Sequence, residues 1–301
     1  MHPTEQARFT PLYQQMLQAL QLQGKRPKTV DAYARAVRRI ADFFNRCPDN
    51  LSAQELKCYF ASLVQSHSWS TVKLDRNGLQ FFFRHVLDRQ WQWIDIIKPP
   101  IVHTLPDILS RDETFQVINQ VQQLRYRVFL FTLYSMGLRL GEGIRIEVGD
   151  IDSARARLHV RNAKGGKDRY VILPEATIAV LRRWWCFHRH PRLLFPSPAV
   201  GAGKMAEAST PMDRGGVQAA MKAAVAECGI QRKITVHSLR HGYATHLLEL
   251  GVDLREIQSL LGHVRPETTA RYAHLTEVTR RQAQHRLQRL LEPFVLRWDE
   301  S

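Results

Sequence analysis

Cysteine is scarce in this chain: there are four in 301 residues, Cys47, Cys58, Cys186 and Cys228, and no CxxC pair. That spacing excludes the usual zinc-ribbon patterns and a disulfide framework, and reads as free thiols in a reducing, cytoplasmic setting. No apolar run approaches the roughly 18 residues of a membrane-spanning helix, so no membrane association is expected. The opening MHPTEQARFTPLYQQ lacks the charged-then-apolar pattern of a secretory signal. Internal repeats and low-complexity tracts are also missing. Negative charge is in short supply: 28 Asp+Glu stand against 43 Lys+Arg, a formal net charge of +15. Such an excess favours a polyanionic partner, because binding phosphates releases condensed counterions. The excess is shared, with +6 on residues 1–98 and +9 on the rest, which suits two basic halves closing around a duplex. Apolar content of 44% and charged content of 24% are ordinary for a globular chain, and the length allows two domains with separate cores.

The first third has helical periodicity. Thr29 is placed to cap a segment whose apolar positions, Val30, Tyr33, Val37, Ile40 and Phe44, recur at intervals of three and four. Arg35, Arg38 and Arg39 lie off that stripe and are candidates to face DNA. Ser52–Glu55 forms a capping-box sequence ahead of Leu56, Phe60, Leu63 and Val64. A third helix is expected from about Ser70, carrying the candidate DNA contacts Lys73, Arg76 and Arg84 beside Phe81–Phe83, whose rings read as core. Pro99, Pro100 and Pro106 then interrupt helix formation, so residues 1–98 read as a helical DNA-binding domain and 99–109 as a linker. A second capping box, Ser110–Glu113, opens residues 110–276, and 277–301 read as a helical tail. Within 110–276, Gly137 is placed to end a helix, and RLHVR (157–161) and RYVIL (169–173) flank KGGKD as a β-hairpin. Helix resumes at Ala176, a long loop is expected over 201–211, and helices are expected over 238–250, 254–261 and 266–274. The fold class is therefore mainly α with a small antiparallel β-sheet: an all-helical N-terminal domain and a mixed α/β second domain.

One scattered set carries the chemistry: Arg139, Lys164, His237, Arg240, His263 and Tyr272. Transfer at a phosphodiester needs a nucleophile, charge relief on the non-bridging oxygens, and a proton for the leaving oxygen. Arginine suits the second task, since its planar fork matches phosphate oxygens and keeps its proton. Lysine among cations shifts towards neutrality and becomes a usable acid, so Lys164 is a candidate proton donor. Tyr272 would be activated by positive surroundings that stabilise its phenolate. His237 and His263 are placed to hydrogen-bond the phosphate and assist proton movement. Taken singly, each has a plainer use. Tyr272 suits an amphipathic helix, Arg139 a surface pair, Lys164 a turn in which Lys167 competes for its role, His237 a helix start and His263 a loop. His237 and His241 have the i, i+4 spacing of a metal pair but lack the intervening glutamate of HExxH, and no metal is assigned.

The joint pattern is more specific. GLRLGE (137–142), HSLRH (237–241), LGH (261–263) and TARYAHL (269–275), in that order, resemble the tyrosine recombinase (phage integrase) family. Intervals of 25 residues from Arg139 to Lys164, 23 from Arg240 to His263 and nine from His263 to Tyr272 are similar to that family's. The resemblance spans nearly the whole chain, including a helical, SAM-like core-binding domain. It implies that Arg139 and Arg240 act as transition-state arginines, Lys164 as hairpin general acid, His237 and His263 as the box histidines, and Tyr272 as nucleophile. Glu142 matches an acidic residue that supports the first arginine, and His241 a structural neighbour of the second. The implied activity is site-specific recombination through a 3′-phosphotyrosine, reversed by attack of the 5′ hydroxyl, with no metal, ATP or other cofactor. The implied partners are double-stranded DNA bearing specific sites and a synaptic tetramer of the chain, with accessory DNA-bending proteins left open and a bacterial nucleoid setting. A phage- or transposon-type integrase is favoured over an integron-type one, because no extra helix is evident between Arg169 and His237. The tail, with Leu287, Leu290 and Leu291, is expected to dock on a neighbouring protomer or on its own domain. Gly143 departs from the family pattern, at a helix cost of about 1 kcal/mol, and is expected to loosen the segment carrying Arg139. A monomeric topoisomerase of the same chemistry, a non-catalytic DNA-binding protein and a metal hydrolase are the alternatives.

Overall fold

The computed structural model describes residues 1–91, 107–161, 168–197 and 205–262. It divides into two compact units, Met1–Val102 and His103–Ser301. In the first, four helices are described: α1 (Pro3–Leu22), α2 (Pro27–Phe44), α3 (Ala53–Ser66) and α4 (Trp69–His85). α1 was not singled out by periodicity. α2 begins earlier than the Thr29 cap predicts: Pro27 occupies the first turn, where its fixed φ suits a helix start and its missing N–H costs nothing. The capping box at Ser52 forms with both reciprocal bonds, and Ser68 caps α4 by accepting the Thr71 N–H.

α2 and α4 cross closely. A Cβ at Gly78 would stand 2.9 Å from Ala36 Cβ and 3.0 Å from Tyr33 Cα, so the crossing depends on hydrogen at that position. Val37, Ile40, Leu79 and Phe82 are buried there, and Phe81 and Phe83 join the same core as expected. Between the helices lies the buried carboxylate of Asp75, which accepts from Arg39 Nη1 at 2.8 and 2.7 Å and from the Tyr59 hydroxyl at 2.7 Å. Arg39 is thus held inward by an ion pair and differs from the outward-facing residue read from the stripe. A period-of-3.6 argument cannot see a carboxylate arriving from another helix. Arg35, Arg38, Lys73 and Arg84 are exposed and Arg76 half-buried. Arg35 pairs with Asp31, and Arg38 lies over the Tyr13 ring at 5.7 Å.

The second unit contains, among the described residues, α5 (Arg111–Gln120), α6 (Leu124–Ser135), α7 (Leu140–Gly143), α8 (Glu175–His188), α9 (Arg214–Glu227), α10 (Val236–Glu249) and α11 (Leu254–Leu261). Its antiparallel sheet orders β1 (Ile151–Asp152), β2 (Arg157–Val160) and β3 (Arg169–Ile172), with Val160 opposite Arg169. The hairpin strands fall where alternation predicts them; β1 and α9 were not anticipated. β1 is too short for a periodic signal, and the first turn of α9 holds Gly215 and Gly216, poor helix formers, although Asp213 caps it by accepting the Gly216 N–H. The Ser110 capping box forms as expected. The expected helix over 266–274, the tail and most of the expected linker and hairpin tip lie outside the described residues.

α6 runs through the core of this unit, burying Phe129, Leu130 and Leu133. α7 is seated against it through Gly143, where a Cβ would fall 2.4 Å from Leu133 Cδ2 and 3.0 Å from Phe129 Cε2. The glycine therefore allows close packing of the turn that carries Arg139, which replaces the expected loosening. Where residues 107–110 join this unit, His246 is buried and bridges two elements. Its Nε2 donates to the Leu109 carbonyl (2.9 Å) and its Nδ1 accepts from the Tyr134 hydroxyl (2.8 Å). These opposed partners suit the neutral ring, and burial lowers its pKa.

Candidate active site

The site grows from the end of α6. Gly137 has a φ of +58°, and a Cβ there would lie 2.5 Å from Tyr243 Cδ1 and 3.0 Å from Leu261 Cδ2. Only glycine meets both demands. The left-handed turn ends α6 and directs the chain into Arg139, which stands at the start of α7. One turn later Glu142 reaches back: its Oε2 accepts the Arg139 backbone N–H at 3.0 Å, and its Oε1 accepts Arg139 Nη1 at 2.7 Å.

Arg240, on the first turns of α10, is 1% exposed. Its guanidinium donates to the carbonyls of Gly137 and Leu261, both at 2.6 Å, and lies 3.9 Å from Glu142. A buried guanidinium requires such acceptors, because an unpaired charge there would cost several kcal/mol. The positive-φ turn before Arg139 and the last turn of α11 thus both orient Arg240. The GLR, HSLRH and LGH segments meet at one guanidinium.

A third arginine completes the cluster. Arg169, at the start of β3, binds both oxygens of Glu142, with Nη1–Oε1 and Nη2–Oε2 at 2.9 Å each. Its stem passes Gly262, the left-handed cap of α11 (φ +62°), so closely that a Cβ there would lie 2.6 Å from Arg169 Cδ. In the sequence Arg169 reads only as the first residue of the strand RYVIL, with no role at the site. Its position at the foot of the lysine-bearing hairpin was the available signal, but no spacing rule pairs it with Glu142. Burial raises the Glu142 carboxyl, yet the bonds and charges of Arg169, followed by those of Arg139, outweigh it and hold the pKa at about 2. Glu142 is therefore an anion shared among cations.

His237 follows Thr235, the N-cap of α10, and its ring meets His241 edge to face at 4.6 Å. The residue is exposed at the surface, and partial desolvation, then the charges of Arg240 and Arg139, lowers its pKa. The neutral ring that results can donate or accept a hydrogen bond near pH 7. Tyr243 packs against Gly137, and burial raises its phenol despite the opposing effect of Arg240, the wrong direction for a nucleophile. Arg139, Glu142, His237 and Arg240 are thus gathered at one site. Lys164, Lys167, His263 and Tyr272 lie outside the described residues. Among the described residues no group of three or more His, Cys, Asp or Glu is arranged to hold a metal ion.

Residues 103–278 match the model of the phage integrase family, more than half of the chain, and residues 12–93 match that of the phage integrase N-terminal SAM-like domain. The chain belongs to the phage integrase family. It is a tyrosine-type site-specific DNA recombinase. Among its relatives, the putative integrase/recombinase y4qK of Sinorhizobium fredii is 34% identical, over 91% of this chain and 87% of that protein. The tyrosine recombinase XerA of Thermococcus kodakarensis is 31% identical, over 89% of this chain and 92% of its own length. A crystal structure of XerA recombinase superposes with a TM-score of 0.51 at 25% identity, covering 92% of this chain and 99% of that one. A lambda integrase dimer bound to a COC′ core site matches at a TM-score of 0.69 and 17% identity, over 87% and 94% of the two chains, a likeness of fold.

Proposed function

We propose that this recombinase cleaves and rejoins DNA with six residues in four roles. Arg139 and Arg240 hold the non-bridging oxygens of the scissile phosphate and neutralise charge that grows as a fifth oxygen approaches phosphorus. Tyr272 gives its phenolic proton to a neutral imidazole of the site, attacks in line and forms the 3′-phosphotyrosine bond, while the phosphorus–5′-oxygen bond breaks. Lys164 gives the departing 5′ oxygen its proton, and His237 and His263 hydrogen-bond the phosphate and assist that transfer. Attack by a 5′ hydroxyl reverses the step, so the bond energy is kept in the phosphotyrosine and no nucleotide cofactor enters the balance. These residues supply every charge and proton the step requires, so a metal has no assigned part.

The observation that carries this reading is Arg240. A guanidinium buried to 1% exposure, fixed by two carbonyls and set beside the Glu142 that also holds Arg139, is prepared for an anion. Both halves are basic, and we assign duplex contacts to each, with Arg35, Arg38, Lys73, Arg76 and Arg84 in residues 1–98 and Lys167 near the catalytic lysine. Arg39 is left to its ion pair with Asp75. Residues 1–98, 99–109, 110–276 and 277–301 then serve as core-binding domain, linker, catalytic domain and docking tail. Assembly into a tetramer on paired DNA sites is supported by a solved lambda integrase tetramer bound to a Holliday junction, whose likeness to this chain is one of fold.

Trapping on a nicked suicide substrate bearing the cognate site tests the reading. Wild-type protein should give a covalent protein–DNA band that survives EDTA, and Tyr272→Phe should give none. A band that persists in Tyr272→Phe would refute the nucleophile. Truncation after Thr276 should reduce strand exchange more than DNA binding; unchanged exchange would remove the docking role of the tail.

A further inference from the structure

We infer that Arg169 is a positioning residue for strand cleavage: by binding both oxygens of Glu142, it keeps that carboxylate from drawing Arg139 and Arg240 away from the DNA phosphate. The inference rests on the roles assigned above to Arg139 and Arg240.

Three guanidiniums surround one carboxylate, but they hold it differently. Arg169 makes the fork-to-fork contact, two parallel bonds of 2.9 Å. Arg139 takes one side-chain bond of 2.7 Å, and Arg240 stands off at 3.9 Å with its nitrogens given to two carbonyls. Bidentate pairing is the strongest arrangement open to an arginine and a carboxylate, so Arg169 occupies the geometry that either phosphate arginine would otherwise take. The carboxylate is 6% exposed and Arg169 14%, so water does little to weaken their attraction.

Arg169 cannot readily swing out of this arrangement. Its backbone is fixed opposite Val160 in the sheet, and its stem is confined by Gly262, where even a methyl group would collide with Cδ and Nε. With Arg169 removed, Glu142 would keep its full charge 3.9 Å from Arg240 and in contact with Arg139. The carboxylate would then compete with the scissile phosphate for both guanidiniums. Arg169 itself bonds to Glu142, and its effect on the phosphate passes through that side chain.

The test compares single-turnover formation of the covalent complex on two suicide substrates, one with a normal scissile phosphodiester and one with a neutral methylphosphonate at that position. A neutral centre needs less from the arginines, so a defect in presenting them should shrink on it. Arg169→Met keeps the stem and removes the fork; Arg169→Lys keeps the charge but cannot bond both oxygens with one planar group. Both should slow cleavage of the phosphodiester roughly 10- to 100-fold, the usual effect of slight misplacement in a site, and slow the methylphosphonate by no more than about threefold. Adding Glu142→Gln to Arg169→Met should recover part of the lost rate, because the competing charge is then gone. Equal slowing on both substrates, no slowing on either, or a double variant no faster than Arg169→Met would overturn the inference. If Arg169→Met does not fold, as judged by thermal melting, Arg169→Lys alone decides. Arg139→Ala and Arg240→Ala report on the underlying roles. Failure of the methylphosphonate to rescue these two refutes the phosphate-arginine assignment and the inference with it. Rescue of these two without rescue of Arg169→Lys refutes only the inference.

Discussion

Replacing Glu142 by glutamine removes one negative charge from among three guanidiniums while keeping the side chain's size. In the folded protein the Glu142 carboxyl has a pKa of about 2, against an ordinary 4.5. The gap of roughly 2.5 pH units corresponds to about 3 kcal/mol of folding stability. The folded pKa is the lower one, so the unfolded chain binds more protons between the two values. The contribution is therefore fully present above about pH 4.5 and is lost as pH falls towards 2. Glutamine cannot titrate and should not show this dependence. Urea unfolding of wild type and Glu142→Gln, measured in steps from about pH 7 down to 2.5, reads the difference directly. Residues 1–102 are identical in the two proteins, so the difference between them isolates the change in the second unit. The expected gap is about 3 kcal/mol near neutrality, narrowing through the acid range. A gap that stays constant with pH would refute the charge argument, and leave Glu142 as a hydrogen-bonding residue only.

Gly137→Ala should destabilise the second unit by roughly 2–4 kcal/mol, combining a left-handed backbone penalty with overpacking against Tyr243, and it should slow cleavage because the Gly137 carbonyl orients Arg240. Urea midpoints close to wild type would contradict the tight turn. Asp75→Ala should cost about 3 kcal/mol in the first unit by stranding Arg39 and the Tyr59 hydroxyl, whereas Tyr59→Phe should cost only about 1 kcal/mol. Similar losses for both would show that the ion pair adds nothing to the hydrogen bond. For His237, whose pKa is lowered from 6.5, the His237-dependent part of the cleavage rate, taken as the ratio of wild type to His237→Gln, should be level from pH 8 down to 6.5 and change only below it. An inflection above 6.5 that vanishes in His237→Gln would contradict the neutral ring. Non-specific DNA affinity should fall steeply with salt, and a flat response would contradict broad phosphate contact by a chain of net charge +15.

Much of the local structure was legible because its causes are local. Ser52 and Ser110 form their capping boxes because a hydroxyl and a glutamate three residues apart satisfy helix-end N–H groups wherever a helix follows. The antiparallel pairing of residues 157–160 with 169–172 follows from the alternation of the two strands. What escaped had a weak local signal: β1 is two residues long, and the Asp213 cap of α9 is followed by Gly215 and Gly216, which disfavour helix.

For the site, sequence alone nominated six residues and Glu142, and it passed over Arg169, which binds both oxygens of Glu142. The residue types of Arg139, Lys164, His237, Arg240, His263 and Tyr272 suit phosphate chemistry, and their order and intervals resemble those of the integrase family. Tertiary structure decided how Arg139, Glu142, Arg169 and Arg240 are held. Arg169 and Glu142 are 27 residues apart, and Arg240 bonds carbonyls 103 and 21 residues away. No periodicity links such positions, because packing between a strand, a turn and two helices brings them together. The same reason separates Arg39 from its exposed neighbours. Its charge is visible in the sequence, but its partner, Asp75, comes from another helix.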